Sequence, residues 1–161
     1  MPVTSRPPVL GIAEETLEFA LEAARDSHPA EYLGVLRGTK AAELGLREQG
    51  LVISDVLIIP GTETGPISAS LQTNMVPNDN RTVGSVHSHP NGVLRPSDED
   101  KSMFSTGSVH VILGAPYDRD DWRAFDRQGD TRSLDVLDVT LPDPESFFDF
   151  TQADIDRELD R

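Results

Sequence analysis

Residues 84–104 place two histidines and an aspartate at spacings that suit a single metal ion. His87 and His89 are two positions apart, and alternate side chains of an extended strand leave the same face, so both imidazoles can point at one spot. A proline- and glycine-containing loop follows, and a new helix opens at Ser97 with Asp100 one turn further along the same face. Two imidazoles and one carboxylate are typical ligands of hydrolytic zinc, which keeps a fourth position for water or substrate. We therefore predict that His87, His89 and Asp100 bind one Zn²⁺ per chain.

Each of these residues also has a simpler interpretation. Histidines on strands are often packed or hydrogen-bonded core residues, and Ser97-x-x-Asp100 has the pattern of a capping box, in which both side chains satisfy amides of the first helical turn. Capping alone does not call for two histidines on one face just upstream, whereas the metal hypothesis uses all of these residues. Ser97 can serve both purposes.

A hydrolytic metal site also needs a general base, because the attacking water must lose a proton and the leaving group must gain one. Glu31 is the candidate, since it opens the strand EYLGVLRG directly after His28-Pro29 ends the preceding helix. An acid at the start of an apolar strand is costly unless it is exposed or used. The alternative is a solvated strand end.

The charge balance and the absence of cysteine limit the expected partners and location of the protein. The chain has 28 acidic against 14 basic residues, a formal charge of -14, which repels phosphate backbones and anionic membranes, so neither nucleic acid nor membrane is an expected partner. It has no cysteine and no apolar run of membrane length, and we expect a soluble, cytoplasmic protein. Aspartate supplies 17 of the acids and lysine only two of the bases, a balance that indicates a halophilic protein.

The pattern of apolar residues predicts one domain of mixed α and β class. A helix is predicted from Ile12 to Ala24, and residues 43–47 are predicted to pair with a neighbouring strand. A hairpin is predicted across Gly129-Asp130. The predicted strands cover residues 31–38, 51–60, 67–71, 81–90, 108–113, 122–126 and 133–139.

The chain resembles the JAMM, or MPN-plus, metalloprotease family. The family signature is a glutamate, then H-[ST]-H-P, then S-x-x-D with its serine seven residues after the proline, and it matches Glu31, His87-Ser88-His89-Pro90 and Ser97-Asp98-Glu99-Asp100. The segments HPAEYLGVLRG, RPSDEDKSMF and VILGAPYDRDDWRAFDRQG extend the similarity to the short archaeal and bacterial members.

The resemblance implies a fold and a division of the chain. The fold is a curved mixed β-sheet flanked by helices, with a layout like that of the cytidine deaminases. Residues 1–10 would be a flexible arm, residues 11–139 the MPN/JAB catalytic domain, and residues 140–161 an acidic segment that could be helical.

The resemblance also implies an activity. His87, His89 and Asp100 would ligate zinc, Glu31 would activate the attacking water, and Ser97 would stabilise the oxyanion. Family members hydrolyse the isopeptide bond between the C-terminal glycine of a ubiquitin-like modifier and a lysine amine, so the chain would be a desampylase-like isopeptidase. Residues 62–74 are the expected edge for the modifier's extended tail.

Two other functions stay open on sequence grounds. A mononuclear Fe(II) oxygenase also uses two histidines and a carboxylate. A non-catalytic metal-binding module could recruit a partner through its acidic tail, although Phe147, Phe148 and Phe150 are better explained by docking of the tail on the core. Deaminase chemistry is not expected, because H-x-E and a later P-C-x-x-C are absent.

Overall fold

One mixed eight-stranded sheet dominates the computed structural model, which describes residues 7–58, 81–104 and 107–142. The strands are β1 (Val9–Ala13), β2 (Leu33–Lys40), β3 (Leu51–Ile58), β4 (Thr82–His89), β5 (Val109–Gly114), β6 (Trp122–Phe125), β7 (Thr131–Arg132) and β8 (Asp135–Leu137). Their spatial order is β7-β6-β5-β4-β2-β3-β1-β8. β1 runs parallel to β3 and to β8, β4 runs parallel to β5, and the remaining pairs are antiparallel. The predicted mixed class is confirmed.

The sheet is strongly curled. β7 and β8 occupy its two opposite edges, although only two residues separate them in the chain. Eight flat strands would span about 34 Å from edge to edge. The three residue steps from Arg132 to Asp135 reach at most about 11 Å. The two edges therefore lie near each other, and the sheet wraps around its core.

Helix α1 (Glu14–Ser27) packs against this core. Its buried side chains are Thr16, Leu17, Ala20, Leu21 and Ala24, which recur at helical spacing. The apolar members of this set join one cluster with strand residues that include Ile53, Val86 and Val111. The helix ends before His28-Pro29, as predicted, but its predicted start is wrong by two residues, because Ile12 and Ala13 pair with β3 and β8 in β1.

Helix α2 (Asp98–Met103) lies over the other face of the sheet. Val109, Val111 and Leu113 of β5 join the cluster that contains α1. Ile112 instead packs with Phe104, the residue that follows α2. This alternation divides the two faces of the central strands, as period-two geometry requires.

Two sequence predictions about pairing are wrong. Residues 43–47 do not form a paired strand, because the chain turns through a 3₁₀ helix (Ala41–Leu44) that ends at Gly45, whose φ of 79° is left-handed. The hairpin partner of β6 is β7, whereas β8, within the predicted strand 133–139, crosses to pair with β1. Apolar patterning marks a strand but does not specify the edge that it joins.

Several other predictions lie outside the described residues: the strand at 67–71, the docking edge at 62–74 and most of the C-terminal segment, including its phenylalanines. Among the residues that are described, no helix combines the length and the apolar character needed to cross a membrane.

Candidate metal centre

β4 presents its two histidines on the face that carries α2. The strand is central, with β2 on one side and β5 on the other, so its backbone is fixed by two ladders. Val86 lies in the cluster that contains α1, and His87 and His89 project to the opposite face by alternation. The ring of Phe104 lies 6.4 Å from the ring of His87, centroid to centroid. Only 7% of His87 is exposed.

The first turn of α2 brings a carboxylate to these rings. Ser97 is the N-cap, its Oγ accepts from the Asp100 N–H at 3.1 Å, and the Asp100 Oδ2 accepts from the Ser97 N–H at 2.9 Å, which completes a capping box. The same carboxylate contacts both imidazoles: its Oδ1 lies 3.1 Å from His87 Nδ1 and its Oδ2 lies 3.0 Å from His89 Nε2. Asp100 therefore caps the helix and also joins the two histidines.

The position of the proton on His89 shows that this cluster attracts a cation. His89 Nδ1 lies 2.7 Å from the carbonyl oxygen of Val93, which can only accept, so Nδ1 carries the hydrogen. In the neutral ring, Nε2 then carries a lone pair that faces a carboxylate oxygen of Asp100. Two acceptors at 3.0 Å are stable only when a proton or a metal ion lies between them.

The donor set fits a zinc ion in its chemistry. In the described ranges, no three His, Cys, Asp or Glu side chains are already arranged to hold a metal ion. In this cluster the Asp100 carboxylate contacts each imidazole directly. Two ligands on one tetrahedral zinc lie about 3.3 Å apart, close to the separations seen here. In addition, His87 Nε2 is buried and has no hydrogen-bond partner in the part of the chain that the structure describes. The carbonyl of Val93 orients His89 as an outer partner of a metal ligand would. The role of the three side chains as ligands remains a prediction.

The pKa shifts in the cluster favour a bound positive charge. Burial alone would raise the pKa of Asp100, but hydrogen bonds from His87, His89 and the Ser97 backbone outweigh it and hold that pKa well below its usual range. The hydrogen bond to Asp100 raises the pKa of His89, and the negative charge of Glu31 adds to this effect. The Asp100 carboxylate is therefore ionised at neutral pH.

The register of β2 sets Glu31 across from His89. Leu33 pairs with His87 in an antiparallel ladder, and continuing that register by two residues brings Glu31 opposite His89. The bonds beyond the ladder support this, since the Ser88 N–H donates to the Tyr32 carbonyl at 2.9 Å. Glu31 is exposed, as a base that must reach water or substrate would be. Ser97, also exposed, lies at the rim of the cluster.

A buried histidine of β5, His110, packs behind the site. His110 Nε2 donates to the carbonyls of Phe104 at 3.0 Å and Gly107 at 3.1 Å, so its Nδ1 accepts from the Ser85 hydroxyl at 2.7 Å. Its ring stacks on Phe104 with centroids 4.2 Å apart. The register Ser85 to His110 follows from the β4–β5 pairing, which the sequence alone does not specify.

Acid should destabilise the protein in part through His110. Burial is the main cause that lowers the pKa of His110 from 6.5 to about 4. Between these two pH values, His110 therefore binds a proton in the unfolded chain but not in the folded chain. Between these pH values the free energy of unfolding should fall as pH falls, by up to about 3 kcal/mol. Urea unfolding of wild type and His110→Gln from pH 7 to pH 4 measures this, and equal pH slopes in the two proteins would contradict it.

Comparisons with known proteins agree with this geometry. Residues 13–128 match the family described as prokaryotic homologs of the JAB domain. A protein of Haloferax volcanii described as a probable metalloprotease is 60% identical over 153 residues, which are 95% of this chain and 95% of that protein.

Two solved structures share the fold. A JAB1/MPN domain protein from Archaeoglobus fulgidus is 32% identical, with a TM-score of 0.61 over 80% of this chain and 99% of that one. A structure described as a metalloprotease-like JAMM zinc site in the proteasome and signalosome is 29% identical, with a TM-score of 0.60 over 81% of this chain and all of the other. The predicted family and the curled mixed sheet are both confirmed. The chain thus belongs to the prokaryotic homologues of the JAB domain, within the JAMM/MPN group, and is a metalloprotease-type hydrolase.

Proposed function

We propose that the chain is a zinc-dependent isopeptidase that cleaves the bond between the C-terminal glycine of a small ubiquitin-like modifier and a lysine amine of a target protein. The observation that carries this proposal is the contact of the Asp100 carboxylate with both imidazoles of β4. The contact between His89 Nε2 and Asp100 is stable only with a proton or a metal ion between the two atoms. The zinc site described for the structural relative supports the choice of metal.

The side chains around the cluster divide the proposed reaction among them. A zinc ion held by His87, His89 and Asp100 would supply a Lewis acid that polarises the carbonyl and lowers the pKa of water from about 15.7 to about 7. Glu31 takes the proton of the attacking water and returns it to the departing lysine amine. The Ser97 Oγ already accepts from the Asp100 amide, so its O–H remains to donate to the developing oxyanion.

The proposed substrate follows from the family and from chain geometry. A modifier tail in extended form could add as a strand beside the site, and small glycines would let its backbone approach the metal closely. The segment 62–74, where the sequence predicts that edge, lies outside the described residues.

Cleavage of a defined conjugate tests the proposal. The purified protein is incubated with a diglycine-ended modifier joined to a lysine side chain, in molar potassium chloride, with and without a chelator. We expect hydrolysis at the glycine–lysine bond that is lost with the chelator, restored by zinc and indifferent to oxygen. A requirement for oxygen would favour the Fe(II) oxygenase. Full zinc occupancy without cleavage of any such conjugate would favour the binding module.

We also propose that the protein is adapted to high salt. Its formal charge is -14, and its relative from Haloferax volcanii comes from a halophilic archaeon. Salt shortens the Debye length from about 10 Å at 0.1 M to about 3 Å at 1 M, which screens the repulsion among these carboxylates. The free energy of unfolding should therefore rise with potassium chloride into the molar range, and a gain of about 3 kcal/mol would raise Tm by roughly 10 °C. Thermal unfolding across a salt series, with sucrose as a non-ionic control, measures this, and a flat response would contradict it.

A further inference from the structure

The segment that carries Glu31 belongs to no helix or strand. It runs from His28, just past the end of α1, to Tyr32, just before β2. A base on such a segment would be displaced easily, and a displacement of about 1 Å can cost about 100-fold in rate. Contacts that fix this segment therefore bear directly on the proposed reaction.

Both ends of the segment are held by side chains from distant parts of the chain. At the far end, the Tyr32 N–H donates to the Oγ of Ser88 at 2.6 Å, in buried surroundings. At the near end, His28 Nδ1 lies 2.9 Å from the Tyr117 hydroxyl, and the two rings meet edge to face with centroids 5.6 Å apart. Between these anchors lies Glu31.

Tyr117 connects the two anchors. The Ser88 hydroxyl lies near enough to the Tyr117 hydroxyl to lower the pKa of Tyr117, which partly offsets the larger effect of burial, a rise in that pKa. Ser88 Oγ accepts from the Tyr32 N–H, so its own O–H can face the Tyr117 oxygen, and the Tyr117 O–H can donate to His28 Nδ1.

The position of Tyr117 is itself strongly determined. The residue is 2% exposed, and its φ of 65° is left-handed, which a residue with a side chain adopts only where the surroundings hold it. Its carbonyl accepts from Arg25 at 2.7 Å and its N–H donates to the Gly114 carbonyl at 2.8 Å. The same turn is tied to β4, because the Ala115 N–H donates to the His89 carbonyl at 3.3 Å.

We infer that Tyr117 is a positioning residue that fixes the Glu31 segment relative to the histidines of β4. It acts through His28 at one end of the segment and through Ser88 at the other. Ser88 lies between His87 and His89 on β4. Its bond to Tyr32 therefore links the segment of the proposed base to the strand that carries two proposed ligands. This inference rests on the proposed function, in which Glu31 is the base.

Removing the Tyr117 hydroxyl tests the inference. In the zinc-loaded full chain, Tyr117→Phe should lower kcat on the diglycine conjugate about 10- to 100-fold, with KM and zinc content unchanged. Tyr32→Phe is the matched control, since it also removes one buried tyrosine hydroxyl beside Glu31, but one without a hydrogen-bond partner among the described residues. Equal losses of kcat in the two variants would overturn the inference.

Repeating the substitution in the Glu31→Gln variant distinguishes a loss of activity that acts through Glu31 from a general loss of activity. If Tyr117 acts through Glu31, adding Tyr117→Phe to Glu31→Gln should change the residual rate by less than about 2-fold. A further loss as large as in wild type would overturn the inference. Should Tyr117→Phe fail to fold, His28→Phe removes the acceptor at an exposed position and should give the same loss of kcat; wild-type turnover in that variant would also overturn it.

Amide exchange gives a readout that needs no activity. In the metal-free chain, the amide of Tyr32 should exchange faster in Tyr117→Phe than in Tyr32→Phe, because the Ser88 hydroxyl that accepts from this amide loses the Tyr117 hydroxyl beside it. Equal exchange would count against the network. Wild-type turnover by Glu31→Gln would instead remove the proposed base, whereas an inactive Glu31→Gln beside a fully active Tyr117→Phe would refute this inference alone.

Discussion

Replacing Glu31 with glutamine is expected to lower kcat about 100- to 10,000-fold while zinc stays bound. Glutamine has the shape of glutamate but accepts no proton at neutral pH, so the variant loses proton transfer and keeps the packing. The residue lies across from His89 by strand register and raises the pKa of His89 through its negative charge, yet among the described residues no hydrogen bond or ion pair joins it to the three proposed ligands. Metal retention should therefore be complete. Steady-state kinetics on the diglycine conjugate and elemental analysis of the same samples measure the two quantities.

The matched control for this variant is Glu15→Gln. Glu15 is an exposed acid near the start of α1, and the chain reaches the Glu31 segment only after the end of that helix. The substitution removes the same charge from the surface, so it reports any general effect of net charge, which matters in a chain of formal charge -14. Wild-type turnover by Glu31→Gln, or an equal loss in Glu15→Gln, would show that Glu31 is not the base. Loss of zinc from Glu31→Gln would instead make it part of the metal site.

The parts of the site that the sequence predicted are those decided by local geometry. His87 and His89 share a face because alternate residues of any strand do, and Ser97 and Asp100 meet because they are one helical turn apart. Each relation spans at most three residues. Asp100 lies 13 and 11 positions from the two histidines that it contacts. The loop between β4 and α2 is short, so it keeps the first turn of α2 close to the end of β4.

The parts that the sequence did not predict depend on strand pairing. The short β7 and β8 join opposite edges of the curled sheet, and no local pattern of apolar residues distinguishes the two edges. The same holds for support of the site: Ser85 meets His110 through the β4–β5 register, and Tyr117 meets His28 across 89 residues of chain. Side chains that hold a site from behind thus appear only when the topology is known.

Replacing Asp100 with asparagine is expected to weaken zinc binding by at least about 100-fold. Loss of an outer partner of a metal ligand already costs about 10- to 100-fold in affinity, and Asp100 is proposed as a ligand itself. An asparagine oxygen can still accept from the Ser97 N–H, so the helix cap and the fold should persist while the negative charge between the two imidazoles is lost. Competition with a chromogenic zinc chelator measures the affinity, and circular dichroism checks the fold.

Asp98→Asn controls for the loss of one carboxylate from the same helical turn. Asp98 is exposed in the first turn of α2 and carries the same favourable interaction with the helix N-terminus. Among the described residues, the ion pairs of His87 and His89 go to Asp100 and not to Asp98. It should bind zinc like wild type and cleave the conjugate at the same rate. If Asp100→Asn also bound zinc with wild-type affinity, the contacts of Asp100 with His87 and His89 would be a helix cap and two hydrogen bonds, and the metal would have to be held elsewhere. If both variants lost zinc equally, the cause would be the charge of the helix and not a ligand. Only a loss confined to Asp100→Asn is consistent with a carboxylate that holds the ion.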